Sequence, residues 1–314
     1  MHKYFVNHCT IELTIQPDGP ILIKSGKEGA DPTKPDMEFV EAYHADGRTI
    51  YLPGSSLKGA IRAHSERIVR TIGSDKRDAN NFDKIWANDP LNDKYDYLKD
   101  KSSAEIYKLS SFTDKIFGNT SIASRIRIED AYPSNDKPLR LEERNGVAID
   151  RVFGSVAVGP FNYQVCTDGE FHTKIHLKNF TLPQLGLIGL VLRDLNDGWF
   201  GLGFAKSRGL GTVNINYKKA IVQYPGCELQ DKKIYPFKGG EPWNHTMLLG
   251  AGEFIDDVSD YGLIKCDRQD TPVAASKMEF GFGVQLIWQE GTVTDLFERA
   301  VRSWKDLLLA SSTK

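Results

Sequence analysis

The chain has 314 residues, 40% of them hydrophobic and 26% charged, enough for one large globular domain or two small ones. A formal net charge of −2 and a pI near 6.4 exclude a protein that coats nucleic acid over its whole surface. They leave room for a local basic groove, because phosphate affinity follows clustered charge and not the total. No apolar run approaches the roughly 20 residues that span a bilayer, so no membrane partner is expected. The four cysteines (Cys9, Cys166, Cys227, Cys266) form no CxxC pair, which speaks against a zinc site or a disulfide framework. The opening MHKYFVNHCTIELTI alternates and lacks the continuous apolar core of a signal peptide. A reducing, cytoplasmic setting is the expectation.

Residues 10–16 (TIELTIQ) set Ile11, Leu13 and Ile15 against polar neighbours, the period of a half-buried strand. Ile21-Leu22-Ile23 follows a Pro-Asp-Gly-Pro turn, and 24–48 reads as a long loop of the kind that carries function. Tyr51-Leu-Pro-Gly-Ser-Ser-Leu-Lys-Gly59 leads into a helix with Leu57, Ile61, Ile68 and Ile72 at helical spacing. Serine is expected to cap its first turn, and Gly73 to stop it. Residues 74–116 read as a polar, weakly helical insertion.

Residues 121–132 (SIASRIRIEDAY) alternate again, with Ile126 and Ile128 inward and Arg125 and Arg127 outward. Residues 144–162 look irregular or hairpin-like, with Gly146, Gly154 and Gly159. Residues 171–178 (FHTKIHLK) place Lys174, His176 and Lys178 on one face. Thr181-Leu-Pro-Gln184 opens a second helix with a capping-box pattern, and Gly198 ends it. The glycine-rich WFGLGFAKSRGLG (199–211) then delivers the chain to a strand with Val213 and Ile215 inward.

The order strand, helix, strand, hairpin, strand, helix, strand predicts an α+β fold with a ferredoxin-like or RRM-like βαββαβ core over 1–217. Residues 218–314 read as a C-terminal extension packed on that core, with a strand over Phe280 to Trp288 and an amphipathic helix over 293–310.

The glycine-rich loop fails as a dinucleotide fingerprint, since Lys206 stands where a third glycine belongs. It fails as a P-loop too: five residues separate Gly203 from Gly209, and no Gly-Lys follows. These failures argue against a nucleotide-dependent enzyme. The remaining readings are a loop whose backbone lets phosphate approach, with Lys206, Ser207 and Arg208 as donors, or a tight turn whose charges face solvent. Ser55, Ser56 and Lys58 lie at a helix start, where free N–H groups suit phosphate, and Lys58 shares a helix face with Arg62. With Arg125, Arg127, Lys174 and Lys178 they sketch a basic track on a near-neutral protein.

The motifs Tyr51–Gly59 and Gly203-Phe-Ala-Lys-Ser-Arg-Gly-Leu-Gly211 resemble the signature of the RAMP (repeat-associated mysterious protein) superfamily. More narrowly they resemble backbone subunits of type III CRISPR effector complexes. Phe117-Gly-Asn-Thr, Ile128-Glu-Asp-Ala131 and Arg144-Asn-Gly-Val-Ala-Ile-Asp-Arg151 share that likeness, which covers roughly 8–217. The resemblance implies a subunit that binds guide RNA and target RNA beside other effector subunits and splays the duplex with a hairpin thumb. Residues 144–162 are the candidate thumb, and Arg151 its expected RNA contact.

Active relatives cut target RNA with a carboxylate on the loop after the first strand. Here Asp31, Asp36, Glu38 and Glu41 stand in that loop, and Asp36-Met-Glu-Phe-Val40 fits the pattern best. Such a carboxylate could act as general base on a ribose 2′-hydroxyl or hold a divalent cation such as Mg2+. Two alternatives stay open: a non-catalytic structural subunit, and an endoribonuclease that processes precursor guide RNA through a histidine. His64 is the histidine nearest the basic track.

Overall fold

The computed structural model describes residues 4–26, 35–44, 47–78, 84–91, 95–255, 261–263 and 266–312. In β1 (His8–Pro17) the alternation holds: Cys9, Ile11 and Leu13 are buried, while His8, Thr10 and Glu12 stand half-buried on the other face. The stretch expected to be a long loop contains a two-stranded hairpin, β2 (Glu41–His44) with β3 (Gly47–Ile50). Strands of this length hold too few periods for alternation to register.

Helix α1 (Gly54–Ile72) buries Leu57, Ile61, His64, Ser65 and Val69, and Gly73 closes it by donating to the Val69 carbonyl at 2.9 Å. The serines do not cap it. The helix begins at Gly54, which puts Ser55 and Ser56 inside the first turn. The Gly54 amide donates instead to Asp130 Oδ1 at 2.7 Å. Residues 74–116 hold α2 (Ser103–Leu109) and α3 (Asp114–Phe117) and bury Trp86, Leu98 and Tyr107, so this segment packs into the body.

There follow β4 (Ile126–Ile128), β5 (Tyr132–Pro133), the hairpin β6 (Arg140–Ile149) and β7 (Val156–Asp168), β8 (Phe171–Lys178), α4 (Leu182–Asn196) and β9 (Val213–Tyr224). In the main sheet β1 lies between β9 and β8, and β4 flanks β8, all pairs antiparallel. Thus β1 and β4, joined through α1, are split by β8, while β8 and β9, joined through α4, are split by β1. This is the interleaved βαββαβ arrangement of a ferredoxin-like core. The hairpin β6–β7 leaves the sheet between its second and third strands.

The C-terminal part continues the same body. A small sheet of β10 (Cys227–Gln230), β11 (Lys233–Pro236) and β12 (Trp243–Asn244) precedes the pair β13 (Met247–Leu249) and β14 (Arg268–Asp270). Then β15 (Ser276–Lys277) and β16 (Val284–Gln289) extend the main sheet beyond β9, and α5 (Val293–Ser312) packs along α4 with Phe297 and Ala300 against it. The boundary drawn at 217 falls inside β9. The strand expected from Phe280 starts only at Val284, because Phe280 sits in a turn with φ +61°. Among the described residues no helix is long and apolar enough to cross a membrane.

One buried acid ties this extension to the core. Asp267 is 2% exposed and accepts the Leu182 amide at the start of α4 (2.9 Å) and the Gly252 amide (3.2 Å). Burial pushes its carboxyl up to about 7, with the two amides opposing the shift and the Glu253 charge adding to it. The protonated form is therefore the one the fold favours. Its contribution is full below the unfolded pKa of about 4 and is lost as pH rises through about 7. The thermal midpoint should fall by about 4 °C between roughly pH 5 and pH 8. Asp267→Asn should flatten that dependence, and an unchanged slope in differential scanning calorimetry would contradict the assignment.

Candidate nucleic-acid interface

The two glycine-containing motifs meet in space. Helix α1 starts hard against β4: a Cβ on Gly54 would stand 2.2 Å from the Ile128 carbonyl oxygen. Beyond α4, the glycine-rich loop folds back over the segment that follows β1. There the Phe204 amide donates to the Leu22 carbonyl at 2.7 Å. Gly203 has φ +77°, and a Cβ there would lie 2.2 Å from the same oxygen, so only glycine fits. The Leu202 amide donates to Gly211 O and the Gly211 amide to Pro20 O, both at 2.9 Å, and these bonds close the loop.

Between the motifs runs an open groove of roughly 350 Å³. Ser56, Gly59 and Ala60 of α1 form one wall, Gly203, Phe204 and Lys206 the other, with Ile23 and Lys24 at one end. Lys24 and Lys206 are exposed and make no ion pair with any described residue. Two exposed ammonium groups, a hydroxyl and an apolar wall suit a phosphodiester and its ribose.

The other residues expected to touch RNA divide sharply. Ser55, Ser207 and Arg208 are exposed near the groove, and the Arg208 guanidinium lies 5.1 Å from the Phe204 ring centroid. Lys58 and Arg62 share a helix face, but it turns toward 110–124. Lys58 Nζ donates to Ser124 Oγ at 2.8 Å, and burial together with the Arg62 charge holds its pKa below the usual lysine range. Arg62 bonds Glu66 (2.8 Å), the Gly118 carbonyl (3.0 Å) and Asp114 (2.9 Å), fastening α1 to α3.

Arg125 does not face outward. Regular pairing begins at Ile126, so the alternation fails one residue earlier. Arg125 is 3% exposed, donates to the Asn179 carbonyl at 2.7 Å and lies 4.2 Å from the Tyr107 ring centroid. Arg127 is exposed but paired with Glu129 at 2.8 Å, and Lys174 with Glu12 at 3.0 Å. Both point away from the helices, on the sheet face opposite α1. The basic track therefore does not run along the strands. His64 is buried too: Nε2 meets Asp194 Oδ2 at 2.8 Å and its ring stacks on Phe200, clasping α1 to α4 out of reach of RNA.

Residues 144–162 lie within the long hairpin β6–β7. At its tip Asp150 Oδ1 accepts the Val152 and Phe153 amides (2.7 and 2.9 Å), leaving Arg151 exposed beside Val152 and Phe153, each 83% exposed. Farther down the same hairpin sits Asp36, whose Oδ2 accepts the Asn162 amide at 2.9 Å. Met37 pairs with the same strand, its amide to Asn162 O (3.1 Å) and its carbonyl to Gln164 N (3.0 Å). The exposed Asp36 is thus held on the edge of β7. Asp31 lies outside the described residues, and Glu41 is ion-paired with Arg48. Among the described residues no group of three or more His, Cys, Asp or Glu side chains could hold a metal ion.

The sequence model of the RAMP superfamily matches residues 14–214. The chain belongs to the RAMP superfamily. No curated protein matches it. The matched stretch runs from β1 to the start of β9 and contains both walls of the groove. RAMP membership supports a CRISPR-associated, RNA-binding role in general.

Lys24 is the groove residue that sequence reasoning missed. Nothing along the chain links a lysine after Ile21-Leu-Ile23 to Lys206; only the fold brings them together. Arg125, conversely, belongs to the RAMP protein's interior. Arg125→Ala should cost about 2–4 kcal/mol of stability, because a buried carbonyl bond and a ring contact both disappear. Chemical denaturation should show that decrease, with the salt dependence of single-stranded RNA binding unchanged. A variant as stable as wild type but with a flatter salt dependence would make Arg125 a surface contact instead.

Proposed function

We propose that this RAMP protein is a backbone subunit of a type III CRISPR effector complex. It holds the guide RNA backbone in the groove between α1 and the glycine-rich loop and cuts bound target RNA with Asp36. The observation that carries this reading is the convergence of both glycine motifs on a groove lined by two exposed lysines, Lys24 and Lys206, that form no ion pair with a described residue. One such groove on a chain of net charge −2 holds few phosphates. Neighbouring subunits along one guide strand would add their contacts in series. The hairpin β6–β7, with Arg151 and exposed apolar side chains at its tip, is the element suited to reach between guide and target.

In the chemistry we propose, the Asp36 carboxylate removes a proton from a target 2′-hydroxyl. The 2′-oxygen attacks the adjacent phosphorus, the P–O5′ bond breaks, and the 5′-oxygen leaves with a proton from solvent. Asp36 is suited to this by its exposure and by its tether to the hairpin that would handle the target. Its lone carboxylate does not by itself make a cation site, and no step here is routed through a cation. One observation favours a non-catalytic subunit instead: the Asp36 carboxylate already accepts an amide and belongs to no cluster of three or more His, Cys, Asp or Glu side chains among the described residues. The processing endoribonuclease loses its candidate, because His64 is buried.

Two variants test the proposal in the assembled complex. Lys24→Ala with Lys206→Ala should weaken RNA binding regardless of sequence and reduce the log–log salt slope by about 0.7 for each phosphate that is no longer held. Asp36→Ala should lower target cleavage at least ~10²-fold and leave RNA affinity within about twofold. Wild-type affinity and slope in the lysine variant would remove the groove from the account. Undiminished cleavage by Asp36→Ala would leave the protein a structural subunit, and cleavage with and without a chelator separates the metal-free from the cation-assisted version.

A further inference from the structure

Three aromatic rings stand in a column where the β2–β3 hairpin meets the chain leading into α1. His44 of β2 lies face to face on Tyr132 of β5, ring centroids 4.1 Å apart and planes 22° from parallel. Tyr132 lies in turn almost parallel to Tyr51, at 5.6 Å and 14°. The inner end is anchored: Leu52, next to Tyr51, is buried and pairs with Ala131 through both backbone groups (2.9 and 2.8 Å). The outer end is His44. His44 is exposed, and its cross-strand partner is Gly47, where nothing lies within 4 Å of the place a Cβ would take. Glycine at this register position presents no side chain to the last ring.

We propose that this column is a nucleobase platform: an unpaired base of single-stranded RNA stacks on the outer face of His44 and extends the column by one ring. Flat rings in series, ending at a solvent-facing π surface, offer what an unstacked base gives up on leaving its own stack. The platform should tolerate any base, since each has a π face. Its position suits one strand bound at two points. The chain from Tyr51 to Ser56, on the groove wall, spans at most about 18 Å. The proposal rests on the RNA-binding reading of the groove but is separable from it: the groove takes phosphates, the column takes a base.

The test uses the full chain and single-stranded RNA oligomers carrying 2-aminopurine at successive positions. Wild type should quench the fluorophore at one position within the bound segment. His44→Ala should abolish that quenching and weaken binding about 5- to 100-fold, while His44→Phe, which restores a flat ring, retains both. An abasic nucleotide at the quenched position should cost wild type the same factor and cost His44→Ala nothing further, a pattern that loss of folding cannot imitate. If His44→Ala quenches and binds as wild type while Lys24→Ala with Lys206→Ala binds weakly, the platform is wrong and the groove stands. If neither variant changes affinity, both fail. If His44→Phe behaves as His44→Ala, the interaction is not stacking and the platform is wrong.

Discussion

The interface depends on one backbone contact, the approach of Gly203 to the carbonyl of Leu22. A side chain at 203 would meet that oxygen at 2.2 Å, and the Phe204 amide bonds it at 2.7 Å. The contact locks the loop after α4 onto the segment after β1, two stretches far apart in sequence, and so brings Lys206 and Lys24 to the same groove. Gly203 is required by the approach of protein to protein, not by the approach of a ligand. The glycine that leaves room for a ligand is Gly59, on the α1 wall, where nothing lies within 4 Å of a Cβ position.

Several basic residues that the sequence sets along one track are engaged within the fold itself. Arg62 meets Glu66 and Asp114, Arg127 meets Glu129, Lys174 meets Glu12, and Arg125 is buried over Tyr107. What remains at the groove is a short patch around Lys24, Lys206 and Arg208. A near-neutral protein can in this way carry a binding surface whose strength depends on repetition along a strand and not on its own total charge. The buried pair of His64 and Asp194 shows the other side of the same economy: titratable groups on the helices serve the packing of α1 on α4.

Much of this architecture is legible in the sequence. Strand β8 buries one face, so its period-2 alternation is clean, and β1 alternates as far as Leu13; in α1 Leu57, Ile61 and the stop at Gly73 are equally plain, although Val69 is buried and Ile72 exposed. The β2–β3 hairpin was not legible because its strands are too short to show a period. Arg125 misled because alternation says which residues take turns, not where regular pairing begins. Lys58 and Arg62 do share a helix face, as their spacing requires, but no local pattern shows that α3 lies against it. Lys24 and the ring column of His44, Tyr132 and Tyr51 were invisible for a third reason: each gathers residues from separate segments.

The most direct test of the central claim, that the groove between α1 and the glycine-rich loop holds the RNA strand, is photocrosslinking. Single-stranded RNA carrying 4-thiouridine would be irradiated with the full chain and the adducts mapped by mass spectrometry. RNA held in the groove should give adducts at 22–24, 55–60 and 203–208. Adducts confined to the helix-free sheet face, on the peptides carrying His8, Arg127 and Lys178, would contradict it.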